Sequence, residues 1–211
     1  MTSLCPSCEV YFIRHGETDW NLQGRIQGHT DIPLNATGTS QAALLGELLG
    51  QVPFSAAFSS DLLRARQTAE LVLKPRALPV IASTALRERS AGKMEGQSTD
   101  KLDQGVRPFF LSENALNKET YLSNAWHPEL KTTNSVLQRV MDFLFPLVNH
   151  YQEQPILVVS HGGVLRSLLD HLSFTPRKRW IVANCGFIKI KMKQQTLHLL
   201  DCHGVTHRQI C

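Results

Sequence analysis

The feature that most constrains the fold is a pair of apolar, β-branched segments, each of which runs directly into a histidine followed by glycine. Glu9–Arg14 precedes His15-Gly16, and Ile156–Ser160 precedes His161-Gly162-Gly163. Such runs are typical of strands in a parallel sheet that helices cover on both faces. In sheets of this kind, ligands collect beyond the carboxyl ends of the strands. The sequence therefore predicts that two imidazoles, far apart in the chain, enter one crevice.

Strand and helix patterns alternate between the two histidines. Asn35 is a candidate N-cap, because its side-chain oxygen can accept a backbone N–H, and the helix that it starts is expected to end near Gly50. Asp61 is expected to cap the next helix, which Pro75 stops. The predicted buried face of the first helix is Leu44, Leu45, Leu48 and Leu49, and the predicted strands are Ala56–Ser59 and Val80–Ala82.

The C-terminal half continues the alternation. Helical periodicity extends over Ser135–Tyr151, where Pro146 is expected to kink or shorten the helix, and a second helix is predicted over Val164–Leu172. A closing hairpin is predicted from Phe187–Met192 and Thr196–Leu200. The whole pattern predicts an α/β fold, a three-layer α/β/α sandwich whose mainly parallel sheet has an antiparallel edge.

Length and composition limit the class of protein. The 211 residues, 42% of them hydrophobic, are expected to form one domain over residues 1–211, with an insertion or lid at about 92–133. The formal charge is only +4, and basic residues cluster only at Arg177-Lys178-Arg179, which argues against a nucleic-acid partner. No basic leader or long apolar run is visible, so we expect no membrane partner and a cytoplasmic location.

Cysteine usage points to free thiols rather than a disulfide framework, since five is an odd number. Cys5 and Cys8 have the C-x-x-C spacing of redox and zinc sites, but no second pair follows, and we interpret them as incidental. Cys202, His203, His207 and Cys211 resemble a zinc-binding tail by spacing alone, and we assign them no function. The aromatic residues of the insertion are expected to serve packing, namely Phe109, Phe110 and Trp126.

The residues at the two strand ends favour phosphate as the ligand. Glycine lets the backbone approach a ligand closely, and a helix N-terminus offers unpaired N–H groups to an anion. Arg14, beside His15, and Arg64, in the first turn of a predicted helix, add forked donors suited to phosphoryl oxygens. Either histidine alone would more often be structural, but together with the arginines they indicate a site.

At this point the chain resembles a known family. Arg14-His15-Gly16-Glu17-Thr18-Asp19-Trp20-Asn21 is similar to the RHGETxWN signature of the histidine phosphatase, or phosphoglycerate mutase-like, superfamily. The resemblance extends over about Val10 to Leu169. Its further motifs, in the family's order, are Asp31–Leu34, Ser59–Ala69, Leu86-Arg87-Glu88 and Val158–Gly163.

The resemblance implies roles for individual residues. His15 would be the nucleophile and would become a phosphohistidine, while Arg14, Arg64 and His161 would bind the phosphoryl oxygens. Glu88 would protonate the leaving oxygen and later take a proton from water. The substrate would be a small phosphate ester, and neither a metal nor another cofactor would be needed. Four further residues would line the phosphate site, namely Asn21, Gln27, Gly28 and Gly162 through its backbone.

Three functions remain open at the level of sequence. A phosphatase is favoured, because Glu88-Arg89-Ser90-Ala91-Gly92 lacks the tyrosine of the ERHYG segment in the cofactor-dependent mutases. A phosphoglycerate mutase is the main alternative, and a catalytically silent phosphate-binding module is the third. Thr133-Asn134-Ser135 stands where many phosphatase relatives have Gly-Glu-Ser. In Ala91–Gly96, also altered, Lys93 is a candidate anion contact and Glu95 an alternative acid.

Overall fold

A mixed sheet organises the part of the protein that the computed structural model describes, which is residues 6–100, 104, 117–123, 131–176 and 178–209. Its strands are β1 (Ser7–Arg14), β2 (Ala56–Ser60), β3 (Val80–Ser83), β4 (Pro155–Ser160), β5 (Lys178–Lys193) and β6 (Thr196–Gln209). Their order across the sheet is β3-β2-β4-β1-β5-β6. The first four strands are parallel, and β5 and β6 add the antiparallel edge. The predicted sheet is confirmed.

Helices cover both faces of this sheet. They are α1 (Asp19–Leu22), α2 (Ala36–Leu48), α3 (Leu63–Leu73), α4 (Lys118–Ser123), α5 (Thr133–Leu144), α6 (Leu147–His150) and α7 (Gly162–Leu172), with 3-10 turns at Thr84–Leu86 and Gly92–Met94. On one face, Ile13 of β1 packs in a cluster with α2 and α3. On the other face, the neighbouring Phe12 packs with α5 and α7. Successive side chains of a strand point to opposite faces, so the three-layer sandwich is confirmed. None of the helices in the described part has the length and apolarity needed to traverse a bilayer.

The predicted helix starts are confirmed at Asn35 and wrong at Asp61. The Asn35 side chain accepts a hydrogen bond from the Gly38 N–H at 2.8 Å. The α3 N-terminus is instead capped from outside the helix, since the Leu63 N–H donates to Asp31 at 2.7 Å. Asp61 forms a two-pronged pair with Arg87, at 2.8 and 2.6 Å, and the hydrogen bond from Arg87 lowers the pKa of this carboxyl.

The predicted apolar face of α2 is half correct. Leu45 and Leu49 are buried against α3 and the sheet, whereas Leu44 and Leu48 are exposed by 63% and 59%. Residues three or four apart share a helix face, and the buried stripe of α2 runs through Ala42, Leu45 and Leu49. The leucine repeat alone does not distinguish the two stripes.

Proline positions confirm two predicted boundaries. α3 ends at Leu73, just before Pro75, and Pro146 separates α5 from α6 within the single helix predicted there. Most of the predicted insertion lies outside the described residues, including Phe109, Phe110 and Trp126. The proposed lid therefore stays a prediction.

The C-terminal hairpin is longer than predicted. β5 begins nine residues before Phe187, and β6 continues nine residues beyond Leu200. A register shift divides β5, because Val182 pairs with Val205 whereas Phe187 pairs with His203. The part of the hairpin beyond this register shift carries polar and basic residues on its exposed face. It therefore lacks the apolar run by which a strand is predicted from sequence.

The sheet order places the two histidines side by side. β1 and β4 are adjacent and parallel, and the His15 N–H donates to the Ser160 carbonyl at 3.0 Å. After β1 the chain turns to the face that carries α2, and after β4 it turns to the face that carries α7. Connections that leave in opposite directions open a crevice at the strand ends, where α/β sheets bind ligands.

Candidate active site

His15 and His161 face each other in this crevice. Their ring centroids are 5.3 Å apart, the rings are inclined by 61°, and both side chains are buried. The His15 Nδ1 lies 2.7 Å from the Gly16 carbonyl oxygen, which can only accept a hydrogen bond. Nδ1 therefore carries the proton, and Nε2 keeps its lone pair.

Both imidazoles are neutral because of their surroundings. Burial, followed by the charges of Arg64 and Arg14, lowers the pKa of His15 well below its usual value. Burial, followed by Arg64 and His15, does the same to the pKa of His161. Neutral imidazole is the form that can attack phosphorus.

The two predicted phosphate-binding arginines lie beside the histidines, but each already uses part of its guanidinium group. Arg14 Nη1 donates to the Val182 carbonyl at 2.6 Å. Arg64 donates through Nη1 to Thr30 at 2.9 Å and through Nη2 to Gly28 at 2.8 Å. Both terminal nitrogens of Arg64 are therefore occupied by backbone carbonyls in this structure, and its predicted role at the phosphate stays a prediction. The Nε atom of each arginine remains without a hydrogen bond to any described residue.

Several buried nitrogens thus lack partners in the described part of the protein. They are Arg14 Nε, Arg64 Nε, and Nδ1 and Nε2 of His161. All belong to residues that either line or adjoin one cleft of about 220 Å³, which His15 also lines. A buried polar group left unpaired costs on the order of 1–3 kcal/mol. A tetrahedral anion between the histidines would supply acceptors for the Nε–H groups of the two arginines and for the one N–H of the neutral His161.

Glu88 lies in the same cleft, against the start of α7. Its Oε2 accepts from the Gly163 N–H and its Oε1 from the Arg89 N–H, each at 2.8 Å. A side chain at position 163 would displace the Glu88 carboxylate, so glycine leaves that carboxylate room in its present position. This contact gives the second glycine of His161-Gly162-Gly163 its physical reason.

The backbone around Glu88 is anchored from several elements. The Ser160 hydroxyl donates to the Leu86 carbonyl at 2.7 Å, and Arg139 donates to the Arg87 carbonyl at 2.5 Å. His29 Nε2 lies 2.9 Å from the carbonyl oxygen of Glu88 itself. The acidic side chain is therefore held beside the histidines by the strand that carries His161.

Glu95, the alternative acid, holds a loop instead of facing the cleft. Its carboxylate accepts from the N–H groups of His29, Thr30 and Ala91 and from the Thr30 hydroxyl, at 2.8, 2.9, 3.2 and 2.5 Å. Burial alone would raise its pKa, but these hydrogen bonds lower it. Glu95 also leaves no room for a side chain at Gly28, whose φ of +53° already favours glycine. The geometry favours Glu88 as the acid.

The remaining predicted residues also lie at the cleft, each with a distinct environment. Asn21 Oδ1 accepts from the Thr18 N–H and from Asn184 Nδ2, both at 3.2 Å. Gln27 is buried, and its Oε1 has no partner among the described residues. Gly162 packs so closely on Arg14 that a Cβ would lie 3.2 Å from Nε. Lys93, in contrast, is exposed and does not line the cleft, so that candidate is wrong.

The residues that hold the His15 backbone were not predicted from the sequence. The His15 carbonyl accepts from Asn184 Nδ2 at 3.1 Å and from the Cys185 N–H at 3.3 Å. Cys185 has a φ of +57°, within the register shift of β5. The polar Asn184-Cys185-Gly186 interruption between two β-branched runs is the signal that marks this bulge.

Residues at the far end of the cleft were also missed. They are Arg89, Arg166, Ser167, Asp170 and Arg179. Tyr121, outside that group, donates to Asp170 at 3.1 Å. Arg166 and Asp170 are four residues apart on α7, and this spacing after His161-Gly162-Gly163 was the available signal.

The altered Thr133-Asn134-Ser135 segment and the cysteines have structural rather than ligand-binding environments. Thr133 is buried and accepts from Arg89 at 3.2 Å, and Asn134 is exposed. Cys8, Cys185 and Cys202 are free thiols, while Cys5 and Cys211 lie outside the described residues. No group of three or more His, Cys, Asp or Glu side chains arranged to hold a metal is found in the described part.

The sheet, its antiparallel edge and the crevice between β1 and β4 define an α/β protein with the phosphoglycerate mutase-like fold. The family profile of the histidine phosphatase superfamily (branch 1) matches residues 10–203. The chain therefore belongs to the histidine phosphatase superfamily, as its motifs suggested.

Individual relatives agree with this assignment. The uncharacterised phosphatase PhoE of Bacillus subtilis (strain 168) is 33% identical over 173 residues, which cover 82% of this chain and 78% of the relative. The adenosylcobalamin/alpha-ribazole phosphatase of Escherichia coli (strain K12) is 35% identical over 205 residues, covering 93% and 97%. The crystal structure of phosphoglycerate mutase from Bacillus anthracis str. Sterne superposes with a TM-score of 0.79 and 27% identity, covering 95% and 94%. These likenesses support histidine phosphatase superfamily activity.

Proposed function

We propose that this protein hydrolyses phosphate monoesters of small molecules through a phosphohistidine on His15, with no metal ion or other cofactor. The observation that carries the proposal is the set of buried, unpartnered nitrogens of Arg14, Arg64 and His161 around the His15 ring. Preorganised donors of this kind stabilise charge that develops on phosphoryl oxygens. The arginines supply the positive charge that a metal provides elsewhere, and a cleft of about 220 Å³ suits a small ester.

The first step transfers the phosphoryl group to the enzyme. His15 Nε2 forms a bond to phosphorus as the ester P–O bond breaks, and Glu88 gives a proton to the leaving oxygen. The imidazole becomes positively charged, and the Gly16 carbonyl, 2.7 Å from Nδ1, stabilises that charge. Arg14, Arg64 and His161 hold the three oxygens of the phosphoryl group.

The second step releases phosphate. The Glu88 carboxylate, now deprotonated, takes a proton from water as the water oxygen bonds to phosphorus. The P–N bond breaks, phosphate leaves, and His15 returns to its neutral form with the proton on Nδ1. Glu88 ends protonated, ready for the next ester.

Hydrolysis is favoured over mutase chemistry by the segment after Glu88 and by the relatives. Ala91 stands where the ERHYG segment of the mutases carries a tyrosine. Two of the three similar proteins above are named as phosphatases. The groups to which we assign catalytic roles lie in or beside one cleft, which argues against a catalytically silent module.

Replacing His15 with alanine tests the proposal. Because the variant lacks the atom that bonds to phosphorus, we expect release of phosphate from an aryl phosphate in chelator to fall about 10⁴-fold or more. His198→Ala, at an exposed position on β6, is the matched control and should keep the wild-type rate. Acid quench and mass spectrometry should detect a phosphoryl group on His15 in the wild type only.

Four outcomes would contradict the proposal. An unaltered rate in His15→Ala would show that His15 is not the nucleophile. Loss of wild-type activity in chelator would show that the reaction needs a metal ion. Conversion of 3- to 2-phosphoglycerate that is stimulated by a bisphosphoglycerate and outpaces phosphate release would indicate a mutase. Phosphate binding without a phosphohistidine on any ester would indicate the silent module.

A further inference from the structure

The cleft continues beyond the histidines along α7. Gly162, Gly163, Arg166, Ser167 and Asp170 all line it, and their spacing places them on one face of the helix. At 1.5 Å per residue, Arg166 lies about 6 Å and Asp170 about 12 Å along the axis from Gly162. The cleft therefore has a second end, which a phosphate between the histidines would not fill.

Positive charge exceeds negative charge in the described wall of this cleft. Six arginines line it, namely Arg14, Arg25, Arg64, Arg89, Arg166 and Arg179. The carboxyl groups in the same wall are those of Glu88 and Asp170. A phosphate monoester carries at most two negative charges, so a cationic excess remains after it binds. Burial of Arg166 carries a desolvation cost, which lowers its pKa, and a further anion would offset that cost.

Arg166 is the centre of this excess. It makes no hydrogen bond or ion pair with a described residue. Burial lowers its pKa to about 10, the nearby Arg179, Arg14 and Arg89 act in the same direction, and Glu88 acts against them. A guanidinium in such surroundings gains more than an exposed one from a bound anion.

Arg89 is held beside Arg166 by two hydroxyl groups. Its Nη2 lies 3.2 Å from Thr133 Oγ1, at the start of α5, and 3.3 Å from Ser167 Oγ, on α7 next to Arg166. Two guanidinium groups from separate elements thus line one end of the cleft. Planar, forked donors of this kind suit carboxylate and phosphate oxygens.

Asp170 does not cancel this charge at neutral pH. Burial raises its pKa to about 7, although the Tyr121 hydrogen bond and the charges of Arg166, Arg89 and Arg179 act to lower it. The raised pKa favours the neutral form of Asp170, so this carboxyl compensates the arginines less than an ordinary aspartate would. An anion bound at Arg166 would favour that neutral form further.

We infer that this second end of the cleft binds a second anionic group of the substrate. The substrate class is then a small phosphate monoester that also carries a carboxylate or a second phosphate, held by Arg166 with Arg89. This inference rests on the proposed function, because it assigns the other end of the same substrate. It predicts that the enzyme distinguishes esters that carry a second negative charge from esters that do not, at a site remote from the reacting phosphorus.

Matched pairs of esters test the inference. 3-Phosphoglycerate and glycerol 3-phosphate differ by a carboxylate against a hydroxymethyl group, and fructose 1,6-bisphosphate and fructose 6-phosphate differ by a second phosphate. We expect the wild type to favour at least one anionic member by kcat/KM. Arg166→Gln should reduce that preference about 10- to 100-fold, the range for a lost hydrogen bond between charged groups. The pair that responds identifies the second group as carboxylate or phosphate.

Two companion variants control for structure. Arg66→Gln, at an exposed arginine of α3 that pairs with Glu70, removes the same charge outside the cleft and should leave the preference intact. Arg166→Lys keeps the charge without the fork and should restore part of the preference. Equal losses on both members of each pair, or no loss, would overturn the inference.

A binding measurement separates this inference from the proposed function. Calorimetry with 3-phosphoglycerate and glycerol 3-phosphate on the His15→Ala chain needs no turnover. Tighter binding of the acid, lost when Arg166→Gln is added, would support the second site even if no ester were hydrolysed. Equal binding of the two esters, together with equal binding of the two fructose phosphates, would overturn it even in an active phosphatase.

Discussion

The two ends of the cleft are built in different ways. At the phosphate end, His15 and His161 follow adjacent strands, and backbone groups fix their neighbours, as the Gly16 carbonyl fixes the His15 ring. At the other end, the Arg89 side chain is held by the hydroxyl groups of Thr133 and Ser167, and Arg166 projects from the middle of α7. The first construction positions reacting atoms, whereas the second supplies charge with fewer backbone constraints.

This contrast suggests that the histidine end of the cleft determines the chemistry and that the Arg166 end determines the choice of substrate. Substitutions at the phosphate end have wider effects, because a side chain at Gly163 would displace the Glu88 carboxylate and one at Gly28 would displace that of Glu95. A side-chain cluster can change one residue at a time without moving a strand. We therefore expect substitutions at the phosphate end to change kcat, and those at the other end to change preference between substrates.

Glu88 lies between the two ends, and its replacement has the largest expected effect of the next three changes. Glu88→Gln keeps the shape but cannot donate the proton, so kcat for an alkyl phosphate should fall about 10²- to 10⁴-fold. An aryl phosphate has a better leaving group and should lose less. Glu70→Gln, at an exposed residue of α3, is the control. An equal fall in kcat for the alkyl and the aryl ester would contradict a role as proton donor. It would indicate that Glu88 acts as a substrate-binding group.

Glu95→Ala tests whether the phosphate end depends on its backbone. Four donors lose their acceptor, so we expect the free energy of unfolding to fall by about 1–3 kcal/mol in urea titrations. The loop carbonyls that orient Arg64 would also shift, and kcat/KM should fall about tenfold. Glu95→Gln keeps one acceptor oxygen, so its stability and kcat/KM should lie between those of the wild type and of Glu95→Ala. A stable Glu95→Ala protein with full activity would show that this loop does not orient Arg64.

Asp170→Asn tests the side-chain end and has the smallest expected effect. The pKa of Asp170 is about 7 in the folded protein, against 3.8 for an unperturbed aspartate, so the folded state holds a proton that the unfolded chain has released. Between these values stability therefore falls as pH rises, and asparagine avoids this loss. We expect the stabilisation by Asp170→Asn to grow by roughly 2 kcal/mol from pH 5 to pH 8 in unfolding titrations.

The exposed Asp142 of α5 provides the matched control for this titration. Asp142→Asn makes the same chemical change at the surface and should leave the free energy of unfolding within about 0.5 kcal/mol of the wild type. A difference for Asp170→Asn that stayed constant, or that shrank toward pH 8, would contradict the raised pKa. It would also indicate that the carboxylate is compensated by the surrounding arginines.

The phosphate end was predictable because its residues sit in local patterns. A strand followed by His-Gly is readable at both His15 and His161, and parallel pairing of such strands places their ends together. The capping Asn35 and the helix-breaking Pro146 are likewise local, since each acts through its own backbone. Glu88 required the family's order of motifs, because its position depends on contacts from distant residues such as Ser160.

The rest depends on tertiary contacts that no local pattern encodes. Asp31 caps α3 from another segment, which leaves Asp61 free to pair with Arg87. The exposure of Leu44 follows from which stripe of α2 meets α3. Arg166 is an ordinary helix residue in sequence, and it becomes part of a cleft only because the other wall lies opposite it.

The bulge in β5 has a consequence for how the chain tolerates changes in length. Between the pairs Val182–Val205 and Phe187–His203, β5 advances five residues where β6 advances two. Side chains of a strand alternate between faces, so deletion of a single residue here would invert the outer hairpin and withdraw the Val182 carbonyl from Arg14. Substitutions in this stretch should be accepted more readily than any gain or loss of a residue, and a scan of single deletions would show activity collapsing at the bulge yet surviving at the hairpin tip.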